Sequence, residues 1–239
     1  MGFFSAIGSA ISSIASGIGS AVSSIGSALS SFAGGIGTVI GTVIPVLGPM
    51  ATTLSRFAAV FLQALGVFKP GEQPDEMGER ALQAAGKGIT IDQFEDFDSY
   101  LDALRDFDLD PEKAAKRSYA EKLVAGLGVG TVGLERKFNA PPGSLDTLWL
   151  LPITNPAYFT VERMQSIIST GRLGGDVWAY LDKRLSAGDS SRLEDALTVA
   201  SDRTAPTPAE RNALYDALDQ ARDRWAELGK QVESSGKGA

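Results

Sequence analysis

The chain contains no histidine and no cysteine. Without imidazole there is no Ser-His-Asp triad, no histidine general base and no histidine-ligated zinc. Without thiols there is no disulfide framework and no thiolate nucleophile, and the redox compartment stays open. Positive charge is scarce too, with 22 Lys and Arg against 29 Asp and Glu and a net charge of −7. Phosphate binding requires clustered cations, so the acidic part of the chain is not expected to contact nucleic acid. One absence is local: from Gly2 to Ser55 there is no charged residue at all. Residues 1–71 carry only Arg56 and Lys69, so the later chain holds a net −9.

That uncharged stretch has a pattern. Ile7-Gly-Ser-Ala-Ile-Ser-Ser-Ile14 returns as Ile18-Gly-Ser-Ala-Val-Ser-Ser-Ile25 and again as Ile25-Gly-Ser-Ala-Leu-Ser-Ser-Phe32. Large apolar residues fall at Ile7, Ile11, Ile14, Ile18, Val22, Ile25, Leu29, Phe32, Ile36, Ile40 and Val43. Ten steps cover 36 residues, the period of a straight α-helix. The remaining faces are Gly, Ser and Ala. A surface helix of a soluble domain ordinarily turns charge to water, and Gly and Ser are poor helix formers, so this helix is expected to depend on a partner, either lipid or copies of itself. A flexible Gly/Ser tether is the alternative, but a tether needs no apolar stripe. Gly37 and Gly41 form a GxxxG step suited to close helix packing.

Read in order, the chain is expected to be all-α. An amphipathic Gly/Ser/Ala-rich helix runs from Phe4 to Val43, and Pro45, Gly48 and Pro49 turn it into a second apolar helix, Met50 to Val67, as a possible helical hairpin. Gly35 to Ser55 is 21 uncharged residues, long enough to span a bilayer. Residues 1–68 thus form an uncharged segment, 69–76 a Pro/Gly/Glu linker, 77–233 an acidic helical body and 234–239 a disordered tail. Within the body, Thr90 opens a helix through Phe107, and Asp110-Pro111 opens another to about Ala125. Gly126 to Phe159 is not clearly helical. Thr160 caps a helix to Ser169, Asp176 one to Leu185, and Ser190 or Ser191 one to Arg203. Thr207-Pro-Ala-Glu210 starts the last helix, whose seam is Leu214, Leu218, Ala221, Trp225, Leu228 and Val232. Those steps of 4 and 3 suit a heptad contact, but the repeat is short, which favours packing on the chain's own body over a coiled coil.

The strings that look chemical fail on context. Gly128-x-Gly130-x-x-Gly133 matches a dinucleotide fingerprint, yet it follows a helical pattern rather than a strand, and it reads as a flexible connector. Asp106-x-Asp108-x-Asp110 opens like a calcium loop, but Pro111 replaces the required Gly and Arg117 the closing Glu. The run from Asp92 to Glu112 holds nine acids and one Arg and reads as a solvated face. No two carboxylates are marked out for catalysis. No enzymatic activity, cofactor or metal site is expected. The N-terminus lacks the basic and compact apolar regions of a cleavable signal peptide, and Ala6 stands where myristoylation wants Ser or Thr.

The repeated Ile-Gly-Ser-Ala phrase, the opening Met-Gly-Phe-Phe-Ser and the uncharged helix resemble the membrane-active N-termini of proteins carried inside virions: DNA pilot proteins of microviruses, apolar segments of tail tape-measure proteins, and minor capsid proteins of polyomaviruses. The resemblance covers residues 2 to about 68; the long Gln/Lys-rich coiled coil of pilot proteins is missing. It implies a non-enzymatic virion protein, of phage origin, whose N-terminal helix penetrates the host membrane during genome delivery. Its partners would be a lipid membrane, copies of itself and other virion proteins, and it would pass from virion to host envelope. A secreted helical pore-forming toxin, or a structural protein using the helix as an assembly peg, is the alternative.

Overall fold

The computed structural model describes residues 13–169, 176–198 and 206–236. Among them there is no strand, and the fold is all-α. Two compact units divide the chain at Asp146, the first being Ile11–Asp146 and the second continuing from Thr147. Composition drew its boundary elsewhere, around residues 69–76. Here the uncharged segment and the first part of the acidic body share one unit.

The straight helix expected from Phe4 to Val43 is not what forms. Helix α1, Ser13–Ser23, stops at a turn in which Gly26 adopts φ 156°, and α2, Ser27–Leu47, runs back along it. An unbroken 3.6-residue period cannot reveal this turn, because Ile25-Gly-Ser-Ala continues the repeat across it. α2 is itself irregular. It opens as a 3-10 turn, Ser27–Leu29, and bulges into a π-turn at Ala33–Gly37, where Gly35 leaves helical geometry. The antiparallel legs interlock through glycine. A methyl group at Gly41 would lie 2.9 Å from Ile18 Cδ1, and one at Gly19 3.0 Å from Thr38 Oγ1. Pro45 lies inside α2 rather than in a turn, and Gly48 alone, at φ 54°, makes the corner into α3, Pro49–Ala64. Pro74 then opens α4, Pro74–Ala85, so the expected linker is partly helix.

Thr90 does not open a long helix. It precedes only a 3-10 turn, Ile91–Gln93, and Asp96 instead caps α5, Phe97–Arg105, by accepting from Ser99 N at 2.7 Å. Asp110 caps the short α6, Pro111–Lys116, as expected, but the chain breaks at Arg117 and Ser118 builds a new capping box. That box starts α7, Tyr119–Lys137, which overturns the expectation of a flexible connector at Gly128–Gly133. α7 is the centre of the unit, buried continuously from Leu123 to Glu135.

The glycines explain both the misreading and the packing. They lower helix propensity, but on α7 each one leaves a notch that another element fills. A methyl at Gly126 would overlap the Pro74 carbonyl of α4, and one at Gly78 of α4 would overlap the Lys122 carbonyl and lie 2.5 Å from Gly126 N. The two helices therefore touch backbone to backbone. Gly128 receives Leu29 and Phe32 of α2, Gly130 receives Leu62 of α3, and Gly133 receives Val67 and Phe97. Beside this contact, buried Glu79 pairs with Arg117 at 3.2 Å, and Gln83 exchanges two hydrogen bonds with the Asp110 backbone at 3.0 and 2.9 Å.

In the second unit the described helices are α8, Leu150–Thr154; α9, Val161–Ser169; α10, Val177–Leu181; α11, Ala187–Leu197; and α12, Pro208–Gly236. Thr160 Oγ1 accepts from Arg163 N at 3.3 Å, and Asp176 accepts from Ala179 N at 2.9 Å. α10 ends four residues earlier than expected, and Ser186 rather than Ser190 or Ser191 caps α11. All six seam residues of α12 are buried. Trp225 Nε1 donates to the Leu150 carbonyl at 2.9 Å, and Arg222 Nε to the Leu181 carbonyl at 3.2 Å. The tail expected to be disordered from Ser234 is still helix to Gly236, with Ser234 and Ser235 hydroxyls donating to the Gln231 carbonyl.

The notches give a direct test. Gly126→Ala should destabilise the first unit by at least about 1–3 kcal/mol, since backbone cannot retreat as a side chain does. Gly17→Ala, on α1 with nothing within 4 Å of the new methyl, should instead stabilise by about 0.5–1 kcal/mol. Urea unfolding of the two variants beside the parent reads both signs.

Candidate functional site

The feature that stands apart chemically is the α1–α2 hairpin and the way the rest of its unit grips it. Of the apolar stripe, Ile18, Val22, Ile25, Leu29, Phe32, Ile36, Ile40 and Val43 are all buried, each at 3% exposure or less. Ile7 and Ile11 lie outside the described residues, and nothing is described of the Ile14 side chain. Gly41 meets Ile18 across the hairpin, whereas Gly37 faces the Phe32 carbonyl and ring within α2. α2 is 21 residues long with a mean hydropathy of 1.6, enough by length and composition to cross a bilayer; the core helix of a soluble protein passes the same test.

The outward face of the hairpin is as unusual as its inward face. Ser16, Ser20, Ser23, Ser27, Ser30 and Gly34 are exposed, and none of their exposed neighbours up to Thr53 is charged. Apolar and small uncharged residues therefore make up the whole cross-section of both helices.

Three described hydrogen bonds or bond pairs tie the hairpin to later chain. Ile91 N donates to the Ile25 carbonyl at 3.1 Å, directly at the turn. Next to it, Asp92 accepts from Ser27 N with one carboxylate oxygen and from Ser27 Oγ with the other, both at 2.7 Å. Asp92 thus caps α2 from 65 residues away, doing what a residue at position 26 would ordinarily do. Gly26 cannot, and a methyl there would overlap Ile91. On the other flank, Ser31 Oγ donates to Asp146 Oδ2 at 2.8 Å. Sequence reasoning missed Asp92 and Asp146 as partners of the hairpin. Asp92 reads as the start of a solvated acidic run, and no short-range signal marks a cap supplied through space.

Asp146 sits beside a second buried acid. Glu135, at 5% exposure, accepts from Leu145 N at 3.1 Å. Burial pushes both carboxyls above their ordinary range, only partly offset by the Leu145 and Gly143 amides at Glu135 and by the Ser31 hydroxyl at Asp146. Glu72 behaves oppositely. Burial alone would raise it, but the Arg105 guanidinium at 2.7 Å and the Lys69 amide hold it below the usual range.

Other candidates do not assemble. The Gly128–Gly133 string lies in mid-helix, where its amides serve α7 and present no helix N-terminus to a phosphate. Asp110 spends its carboxylate on Glu112 N and Lys113 N. Among the described residues, no group of three metal-ligating acids is found. An open cleft of about 230 Å³ is lined by Gly66, Val67, Phe97, Asp98, Arg136 and Lys137, with Lys137 Nζ donating to the Gly66 carbonyl at 3.4 Å. Compared with protein-family models, curated proteins and solved structures, the chain matches none.

The raised carboxyls predict a pH dependence. A carboxyl whose folded-state pKa is raised adds stability while protonated and loses it as pH climbs from the ordinary carboxylate range through the folded value. Glu135→Gln combined with Asp146→Asn should therefore flatten a decline in stability that the parent shows on going from about pH 4 to neutrality. Thermal unfolding across that range, parent against variant, measures the difference.

Proposed function

We propose that this chain is a non-enzymatic structural protein of a virus, of phage origin, whose N-terminal segment penetrates the host membrane during genome delivery, and that the described fold carries the segment in its covered state. The observation that supports this is the composition of the hairpin's two faces together. Its inward face is buried Ile, Val, Leu and Phe, and its outward face is exposed Ser and Gly without a single charge. An ordinary soluble helix with this much buried apolar surface has no need to keep its wet face uncharged. A segment that later enters lipid does, because each ion at the bilayer centre costs at least about 2.5–3.5 kcal/mol. Small residues also let the two legs stay paired in hydrocarbon, where close packing rather than water drives association.

Covering the stripe changes the energetics. Moving a large apolar side chain from water to lipid gains about 1.5–3 kcal/mol, but the residues from Ile18 to Val43 have already left water. Lipid tails offer them little more than the protein core does. Insertion from this fold is therefore close to an exchange, and its direction depends on what holds the hairpin in its seat. Self-association in the membrane, or with other virion proteins before it, would use the exposed Ser/Gly face.

The absence of cysteine makes the test clean. Ser31 and Asp146 are bonded at 2.8 Å, so cysteines introduced at both positions can be tied through a short disulfide-containing crosslinker that reductant cleaves. The full-length Ser31→Cys/Asp146→Cys protein should release dye from anionic liposomes when reduced and should not when crosslinked, with reductant restoring release. Absence of release by the reduced protein and the parent at high protein-to-lipid ratio would favour an assembly role for the helix, and equal release whether crosslinked or reduced would mean the hairpin is not the inserting element.

A further inference from the structure

We propose that Asp92 and Asp146 act as a two-point latch that sets how readily the α1–α2 hairpin leaves its seat. The inference rests on the proposed function for its purpose, though the latch itself is a property of the folded chain in water.

Two kinds of contact hold the hairpin, and they differ in reach. The first is the apolar seat: Leu29 and Phe32 packed at Gly128, with the stripe buried around them. These contacts are out of water, and lipid replaces them in kind. The second kind is polar and has no substitute in hydrocarbon. Asp92 holds the first amide and hydroxyl of α2 at 2.7 Å each, and Asp146 holds Ser31 one turn on at 2.8 Å. Both carboxylates come from the charged part of the unit, 65 and 115 residues away from their partners in sequence. They bracket the same short stretch, Ser27 to Ser31, on which α2 begins. The stretch opens as a 3-10 turn and has no side-chain cap of its own.

Placement favours a gate over general stability. Asp92, Ser27 and Ser31 are exposed and only Asp146 is buried, so the hairpin's side of each bond faces water and opens outward. Hydrogen bonds are short-ranged and directional, so breaking them costs a definite amount before any apolar residue moves. Once they open, the start of α2 loses its only described cap, and α2 frays from the end that faces the turn. The rest of the unit does not share that dependence. α4 and α7 are joined through the Gly78–Gly126 contact and the Glu79–Arg117 pair, neither of which involves the latch.

Hydrogen exchange of the full-length protein in buffer, without lipid, tests the latch directly. Asp92→Ala should speed exchange across Ser27–Leu47 by about tenfold, the effect of losing one cap, and Asp146→Ala by about threefold to tenfold, the effect of losing one side-chain hydrogen bond, while α4 and α7 amides keep their parent protection. Asp92→Asn, which still offers an acceptor to Ser27 N, should fall between. Asp96→Ala is the control: it removes an equivalent cap from α5 and should leave α2 unchanged. A uniform loss of protection across the unit, or none in α2, would overturn the latch. Dye release then reads the second layer separately. Selective exchange with faster release supports latch and membrane reading together, whereas selective exchange with no release from any variant keeps the latch and removes the membrane.

Discussion

Everything in the first unit depends on how closely backbones approach α7. Gly78 against Gly126 brings α4 onto it with no side chain between them, and the next three notches admit α2, α3 and the Val67–Phe97 cluster in turn. A helix with a bulky residue at any of these positions would hold its neighbours farther off, and the uncharged hairpin would have no seat. Close packing of this kind stabilises through many small dispersion contacts and tolerates little change in volume. Its cost is helix propensity, because four glycines within eight residues weaken α7 by themselves. The capping box at Ser118 and burial along the length of α7 offset that loss.

The same arrangement gives the N-terminal segment its two-sided character. Small residues let its two legs pack closely, at Gly41 against Ile18 and at Gly19 against Thr38, and they leave its outer surface without charge, while Leu29 and Phe32 enter the notch at Gly128. Nothing in the apolar contacts is unique to protein, since a lipid interior provides similar surroundings. What the protein provides and lipid lacks is polar: the Ile91 amide at the turn and two carboxylates at the start of α2. Covering and gripping the segment are thus separate tasks carried out by separate residues.

Charge is used elsewhere with the same economy. The acidic run from Asp92 to Glu112, which composition reads as a plain solvated face, contains three helix caps: Asp92 on α2, Asp96 on α5 and Asp110 on α6. Asp102 joins Lys69 and Arg105, which in turn holds Glu72. In the second unit the three-and-four spacing of α12 brings Trp225 to the Leu150 carbonyl, so a seam that suits a coiled coil serves instead as a buried face.

By itself the sequence determined the all-α class, the starts of α3, α6, α9, α10 and α12, and the stripe from Ile18 to Val43, because caps and apolar periods are local and the residues that make them are neighbours in the chain. Thr207, Asp110 and Asp176 cap where their spacing says they should. Only the tertiary structure decided that the stripe folds back at Gly26, that the Gly128–Gly133 string is a packed helix, and that Asp92 and Asp146 grip the hairpin. The physical reason is the same for all three. A repeat looks unbroken whether or not the chain reverses inside it, a glycine reads as a loop until a neighbour fills its notch, and a cap reaching across 65 residues leaves no mark on the sequence beside it.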